Sequence, residues 1–322
     1  MLRFAIAILA AFAGSAMPAQ AQQYPSRSVT VVVPFAAGGG SDLLARLVTQ
    51  KLEARLGKPF IVENRPGAGT TLAAMQVVRA TSDGYTLMQG TSSTMAINVT
   101  MNKKLPYEPL KDLVPIALLS SSPFFLVVAA DSPLKTVADV IAAAKAKPNG
   151  LNYGSGGPGS MHHLSTELLQ SLAGIQMTHV PYKATPPAMN DLIAGHIQLL
   201  FGDATSTLPM IQQGKVRGIA VTTAKRSPAA PDVPAVAETV PGFESASWQM
   251  LLAPGGTSPE VIALLNREVH AIFSDPAVIA ELTRRGVGPA LTGPPTVVTE
   301  FVKKEIVRWG DVVRRAGLEG SE

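Results

Sequence analysis

The sequence predicts an α/β protein of two domains, each a mixed, mostly parallel sheet flanked by helices, with two crossover strands as the hinge. Three observations lead there. The 322 residues hold about two domains at roughly 100 to 200 residues each. Short β-branched runs alternate with apolar residues at helical spacing. That alternation occurs twice, and a helical tail follows it.

The first alternation opens with Val29 to Val33, a continuous β-branched run suited to a strand buried on both faces. A glycine loop, 35 to 42, leads into Leu43, Leu44, Leu47, Val48, Leu52 and Leu56 at helical spacing, with Gly57 as the stop. Phe60 to Val62 makes the next strand and Leu72 to Ala80 the next helix. Asp83-Gly84 then turns the chain into Tyr85 to Met88. A long apolar stretch from Leu118 to Ala130, broken at Ser120 to Pro123, precedes the second alternation. There, Thr136 and Asp139 form a capping-box pattern for a helix ending near Lys147. Strand Leu151 to Tyr153 feeds a glycine loop and a helix carrying Leu164, Leu168, Leu169 and Leu172, stopped by Gly174. Strands follow at 177 to 180, 197 to 201 and 216 to 222, separated by helices at 187 to 194 and 206 to 213. Ser247 to Ala253 reads as a strand, and helices at 259 to 273, 276 to 285 and 296 to 316 complete the chain. The tail is expected to pack back on the first domain, so the chain crosses between domains near 118 to 128 and near 243 to 253. The expected division is a first domain of 22–120 plus 250–322 and a second of 121–249.

Composition removes several classes of function. Hydrophobic residues make up 46% and charged residues 16%, which excludes disorder as the main state. The net charge is +4 and the basic residues are scattered, so no nucleic-acid footprint is present. Met1 to Ala21 carries Arg3, an unbroken apolar run from Phe4 to Ala13 and the small-residue pattern Ala19-Gln20-Ala21, the signature of a secretory signal peptide cleaved after Ala21. A buried N-terminal helix would leave the small residues unexplained. The chain is therefore expected to be exported. The sequence contains no cysteine, which excludes disulfides, thiolate metal sites and a cysteine-linked lipid anchor.

Gly154, Gly156 and Gly159 satisfy G-x-G-x-x-G between a strand and a helix, the formal dinucleotide pattern. That site also wants an acidic residue about 20 positions on, and Ile175 to Tyr182 contains none. Pro158 removes one amide as well. No nucleophile elbow, phosphate-binding lysine loop or H-E-x-x-H pair occurs, so neither a cofactor nor a metal is expected. His162 and His163 are adjacent at a helix start, diverge by about 100° and suit hydrogen bonding better than chelation. What remains is a repeated device. Loops 35–42 and 154–160 each carry a strand into a helix N-terminus, where free amides and the helix dipole attract anions. Ser41, Ser155 and Ser160 add hydroxyls, and neither loop contains Lys or Arg. Such a pair favours a small carboxylate over a polyphosphate.

Several runs resemble the Bug family, the TctC-like periplasmic solute-binding proteins of tripartite tricarboxylate transporters. They are Val33-Pro34-Phe35 to Gly39-Gly40-Ser41-Asp42, Val62-Glu63-Asn64-Arg65-Pro66-Gly67-Ala68-Gly69, Asp83-Gly84-Tyr85-Thr86-Leu87 and Val180-Pro181-Tyr182-Lys183. Gly154 to Ser160 with His163-Leu164, Leu208-Pro209, Gly214-Lys215-Val216-Arg217, Pro231 to Pro234 and Pro241-Gly242-Phe243 continue the match over nearly all of the expected mature chain. The resemblance implies a two-domain Venus-flytrap protein that traps a small organic carboxylate between its domains and passes it to membrane permease subunits. It implies no catalysis, and the chain is expected to act as a monomer. By position it carries Phe35, Gly39, Gly40, Ser41 and Asp42 from one side, and Ser155, Gly159, Ser160 and His163 from the other. Asp42 would repel a carboxylate, so it is expected to orient the loop or a water. Specificity is expected from Thr91, Ser92, Ser93, Tyr182 and Asp203. Ala184 stands where the family often has Gly, and Gly202 where many members have Asp. Ala36-Ala37 replaces a frequent proline, a change expected to loosen or enlarge that side. A ligand sensor for a signalling partner shares every one of these residues. A secreted hydrolase or lyase would differ by a nucleophile and base converging in the cleft.

Overall fold

The computed structural model describes residues 24–38, 40–182, 185–288 and 293–321. The expected signal peptide lies outside them, as do Gly39 and Ala184. The first sheet contains β1 (Val29–Val33), β2 (Phe60–Asn64), β3 (Thr86–Thr91), β4 (Leu113–Ser122) and β10 (Ser247–Pro254), in the order β2-β1-β3-β10-β4. The second contains β5 (Phe124–Ala129), β6 (Asn152–Ser155), β7 (Thr178–Pro181), β8 (Leu199–Asp203) and β9 (Val216–Val221), in the order β7-β6-β8-β5-β9. The intervening helices are α1 (Gly40–Leu56), α2 (Thr71–Val78), α3 (Val137–Ala146), α4 (Met161–Ala173), α5 (Thr185–Ile193) and α6 (Ala204–Gln212). The C-terminal part adds α7 (Pro259–Phe273), α8 (Pro276–Arg284) and α9 (Pro295–Arg315).

Among the described residues, parallel and antiparallel strand pairings occur in equal number. β1 runs parallel to β2 and β3, and β6 runs parallel to β7 and β8. β10 runs antiparallel to β3 and β4, and β5 to β8 and β9. The antiparallel half, larger than the apolar runs predicted, comes from the strands adjoining the crossings. A strand that enters a sheet without a helical crossover is free to run against its neighbours. Only Pro123 separates β4 from β5.

Apolar residues on successive positions of β5 serve two cores, as the strand period of two requires. Phe124, Leu126 and Val128 join the cluster that contains Tyr153, Leu164 and Phe201, while Phe125 and Val127 pack with Ala188, Leu192, Leu200 and Leu208 beneath α5 and α6. In the first sheet Val29 and Val31 pack with Leu44, Val48 and Leu52 of α1 and with Leu265 and Val269 of α7. Val32 faces the other way, into the cluster shared with the second sheet. α9 lies against β4 and the helical turns Ser93–Ile97 and Asn98–Met101. Those turns have no counterpart in the sequence patterning. The capping box at Thr136 and Asp139 forms at the start of α3.

Both glycine loops sit at the carboxyl ends of parallel strands, β1 for 35–42 and β6 for 156–160, where α/β sheets present their ligand crevices. The two halves meet there. A Cβ on Gly159 would run into Met101 Sδ and Cε, and one on Gly40 would lie 3.4 Å from Thr205 Oγ1.

Candidate functional site

The first loop is organised around a buried carboxylate. Asp42, in the first turn of α1, accepts the Gly38 amide at 3.0 Å on Oδ2 and the Asn64 side-chain amide at 3.0 Å on Oδ1. Arg46, one turn on, donates to both oxygens at 2.8 and 3.0 Å. The Arg46 guanidinium, the Gly38 amide and Asn64 hold the Asp42 carboxyl down at about 2. Four donors thus occupy it, and its charge fixes the loop against the end of β2. Asn64 also donates to the Phe35 carbonyl at 2.9 Å. Phe35 itself is 39% exposed. The Ser41 carbonyl accepts from buried Gln89 of β3 at 3.0 Å. The amides of Ser41 and Asp42, in the first helical turn, have no partner among the described residues and lie where a helix start attracts an anion.

The second loop uses its own hydroxyls. Ser155 Oγ donates to the Gly157 carbonyl at 3.2 Å and accepts the Gly157 amide at 3.0 Å. Ser160 caps α4: its Oγ donates to the Gly157 carbonyl at 2.7 Å and accepts the His163 amide at 3.3 Å. The Gly159 amide is taken by His163 Nδ1 at 3.1 Å. These groups hold one another, which leaves the first-turn amides of Met161 and His162 without a partner among the described residues. Gly157 and Gly159 have φ of +112° and +67°, values that an L side chain adopts only under strain.

The two adjacent histidines part company, as their angular separation on a helix requires. His162 reaches Asp203 Oδ2 at 3.1 Å and packs edge-on against Phe124. Thr185 Oγ1 donates to the same carboxylate oxygen at 3.0 Å. His162 Nδ1 is buried without a partner among the described residues. His163 turns inward onto His179. Among the described residues no group of three His, Asp or Glu side chains could hold a metal.

Thr205 near the start of α6 faces Gly40 of the first loop, and Met101 faces Gly159 of the second, so these elements lie along the boundary between the halves. Thr91 and Thr94 hydroxyls bond each other at 3.2 Å inside the first half. Ser92 is buried and Ser93 half-buried. The Tyr182 hydroxyl donates to Asp191 at 2.6 Å, and burial and that carboxylate push it up to about 12. Gly202 has a steric cause, because a Cβ there would run into Thr207 Oγ1. Sequence reasoning overlooked Asn64, Gln89, Met101 and Thr185. Asn64 alone carried a signal, a polar side chain at the carboxyl end of a parallel strand.

Two sheets joined by two crossings, with a glycine loop of each half lying against the other half, define a two-domain solute-binding protein of the Venus-flytrap class. Residues 44–318 match the model of the tripartite tricarboxylate transporter family receptor. The chain belongs to that family, whose members are periplasmic substrate-binding receptors and not enzymes. It is 35% identical over 316 residues to BugT of Bordetella pertussis, covering 98% of this chain and 97% of BugT. A UPF0065 protein from the gbd 5′ region of Cupriavidus necator is 39% identical over 314 residues, 97% of this chain and 95% of its own. Among solved structures, Rpa4515 of R. palustris with adipate superposes with a TM-score of 0.84 at 38% identity, covering 91% of this chain and 98% of its own. MatC of Rhodopseudomonas palustris with bound malate gives 0.79 at 36% identity, covering 90% and 100%.

Proposed function

We propose that this chain binds a small dicarboxylate between the 35–42 and 156–160 loops, in the periplasm, and delivers it to the permease subunits of a tripartite tricarboxylate transporter. The observation that carries this reading is that each half brings a glycine loop and a helix start to the boundary between the halves, where Gly40 nears Thr205 and Gly159 nears Met101. The adipate and malate seen in relatives at 38% and 36% identity support the ligand class. Ser41 and Asp42 amides grip one side of the carboxylate and Met161 and His162 amides the other, with water completing the shell. Phe35 and Thr205 line the way in. Asp203 with His162 and Thr185 selects at the far end of the crevice.

Residues 22–120 with 250–322 act as one domain and 121–249 as the other, in a monomer released by cleavage after Ala21. Binding is reversible. Only a ligand that touches both halves stabilises the closed arrangement, and the domains swing about the strands on either side of Pro123 and about the return into β10. A thermal-shift series with adipate, malate, citrate, an aromatic acid and an amino acid tests the reading. A bound carboxylate at 100 times its Kd adds about 2.7 kcal/mol of stability. Absence of a shift with every acid on the panel would sink it.

A further inference from the structure

A stack of ionisable rings lies directly beneath the 156–160 loop. The His163 ring, 7% exposed, lies face to face on His179 with centroids 3.9 Å apart and planes 7° from parallel. Tyr153 of β6 continues the stack 5.0 Å beyond His179. The Tyr153 hydroxyl donates to Glu167 at 2.5 Å, and Gln170 donates to the same oxygen at 2.6 Å. That oxygen lies 3.6 Å from His163 Nε2. Two bonds tie the stack to the loop and to the strand end that feeds it. His179 Nε2 meets Ser155 Oγ at 2.6 Å, and His163 Nδ1 accepts the Gly159 amide at 3.1 Å.

The second of these bonds sets the protonation state. An imidazole nitrogen that accepts an N–H carries no proton, so the His163 proton sits on Nε2, on the Glu167 side. A second proton would place an N–H at Nδ1 against the N–H of Gly159. It would also put a cation 3.9 Å from another imidazole in a dry interior. The charged ring has to turn, or the loop has to lift. Burial and the neighbouring His179 lower His163 to about 4, and burial lowers His179 as well. Burial also raises Glu167.

We infer that His163 is a positioning residue whose neutral ring fastens the anion-binding loop through the Gly159 amide, so that acid loosens the site by protonating this ring. The inference rests on the reading that the 156–160 loop receives the carboxylate, and it assigns that loop's pH response to one side chain. The groups facing the ring are His179 from β7, Tyr153 from β6 and Glu167 from its own helix. α4 also packs against α9, whose Glu305 and Arg308 are held by the two tryptophans, by each other and by the Glu244 carbonyl. His162 points away, to Asp203.

The test begins without a ligand, on the 15N-labelled exported protein. Ring nitrogen shifts of His163 and intrinsic-rate-corrected exchange of the Gly159 amide are followed from pH 7.5 to 3.5. The expected result is an unprotonated Nδ1 at pH 7.5 and a Gly159 protection factor that falls at least twofold in step with the ring's titration. In His163→Asn the side-chain oxygen takes roughly the place of Nδ1 and does not titrate, so protection persists through the same range. Adipate then serves as the probe. The ratio of the native Kd to the His163→Asn Kd cancels adipate's own titration, and it rises at least twofold between pH 7.5 and 4. His163→Leu, which offers no acceptor, binds adipate at least tenfold more weakly at pH 7.5 while its thermal unfolding stays cooperative. A ring that titrates without moving Gly159 exchange, a ring that does not titrate above pH 3.5, or a constant Kd ratio overturns the inference. Failure of the native protein to bind adipate at pH 7.5 counts against the proposed ligand class, and the ligand-free exchange data still decide the role of His163.

Discussion

Asp42 is a charge spent on geometry. Its carboxylate is bonded by Gly38, Asn64 and Arg46 and lies nearly out of water. Because its pKa falls from 3.8 to about 2 on folding, the stabilisation is present above about pH 4 and is lost as pH falls through about 2. Arg46 is 53% exposed, which screens the pair, so Asp42→Asn is expected to destabilise by about 1 to 2 kcal/mol at pH 7 and by much less at pH 2. Urea midpoints at the two pH values measure the difference. Gly202 makes a second argument at this scale. Gly202→Ala pushes into Thr207 Oγ1 and is expected to cost about 1 to 3 kcal/mol, while Thr207→Ala in the same chain recovers most of it. Additive losses in that double-mutant cycle would show that the two side chains do not compete for one space.

At the scale of elements, α4 is the one that carries the site. Its N-cap Ser160 shapes the loop, its first turn supplies free amides, and its inward face brings His163 onto His179. The depressed pKa of His163 means that the unfolded chain binds a proton below about 6.5 that the folded chain refuses until about 4. Stability is therefore full above about pH 6.5 and declines through the interval down to about 4, by on the order of 3 kcal/mol from this ring. His163→Asn is expected to flatten that decline, read as the change in urea midpoint between pH 7.5 and 4.5. An unaltered slope would contradict the burial of a neutral ring. The capping box on α3 is an ordinary structural counterpart. Thr136→Ala is expected to cost about 1 kcal/mol with no effect on carboxylate binding, because its cap bonds run only to Asp139.

Across the whole molecule, the C-terminal helix is tied to the return strand by one carboxylate. Glu305 of α9 accepts the indole N–H of Trp248 in β10 at 2.7 Å and that of Trp309 at 2.8 Å, all three side chains being buried. Removing the acceptor leaves two buried donors unpaired, so Glu305→Ala is expected to cost about 2 to 5 kcal/mol and to shift tryptophan emission to longer wavelength on equilibrium unfolding at lower urea. A midpoint within 0.5 kcal/mol of the native protein's would remove this tie from the account of how the tail is held.

Amino-acid order alone determined the alternation of strands and helices, because burial on both faces selects β-branched runs and helix faces repeat every 3.6 residues. Val29–Val33 and Pro259–Phe273 match the residues expected of them. It also determined that two glycine loops deliver helix N-termini, since that device is local to each stretch of chain. Which groups those loops leave free was a tertiary matter. Ser155, Ser160 and Gly159 carry donors on paper, yet His163, His179 and Gly157 claim them once α4 and β7 come together. Asn64, Gln89 and Met101 enter the site from elements that reach it only through sheet order and the meeting of the two halves. Hydrogen bonding in a crowded interior is settled by competition among all partners within about 3 Å, and linear order does not say who those partners are.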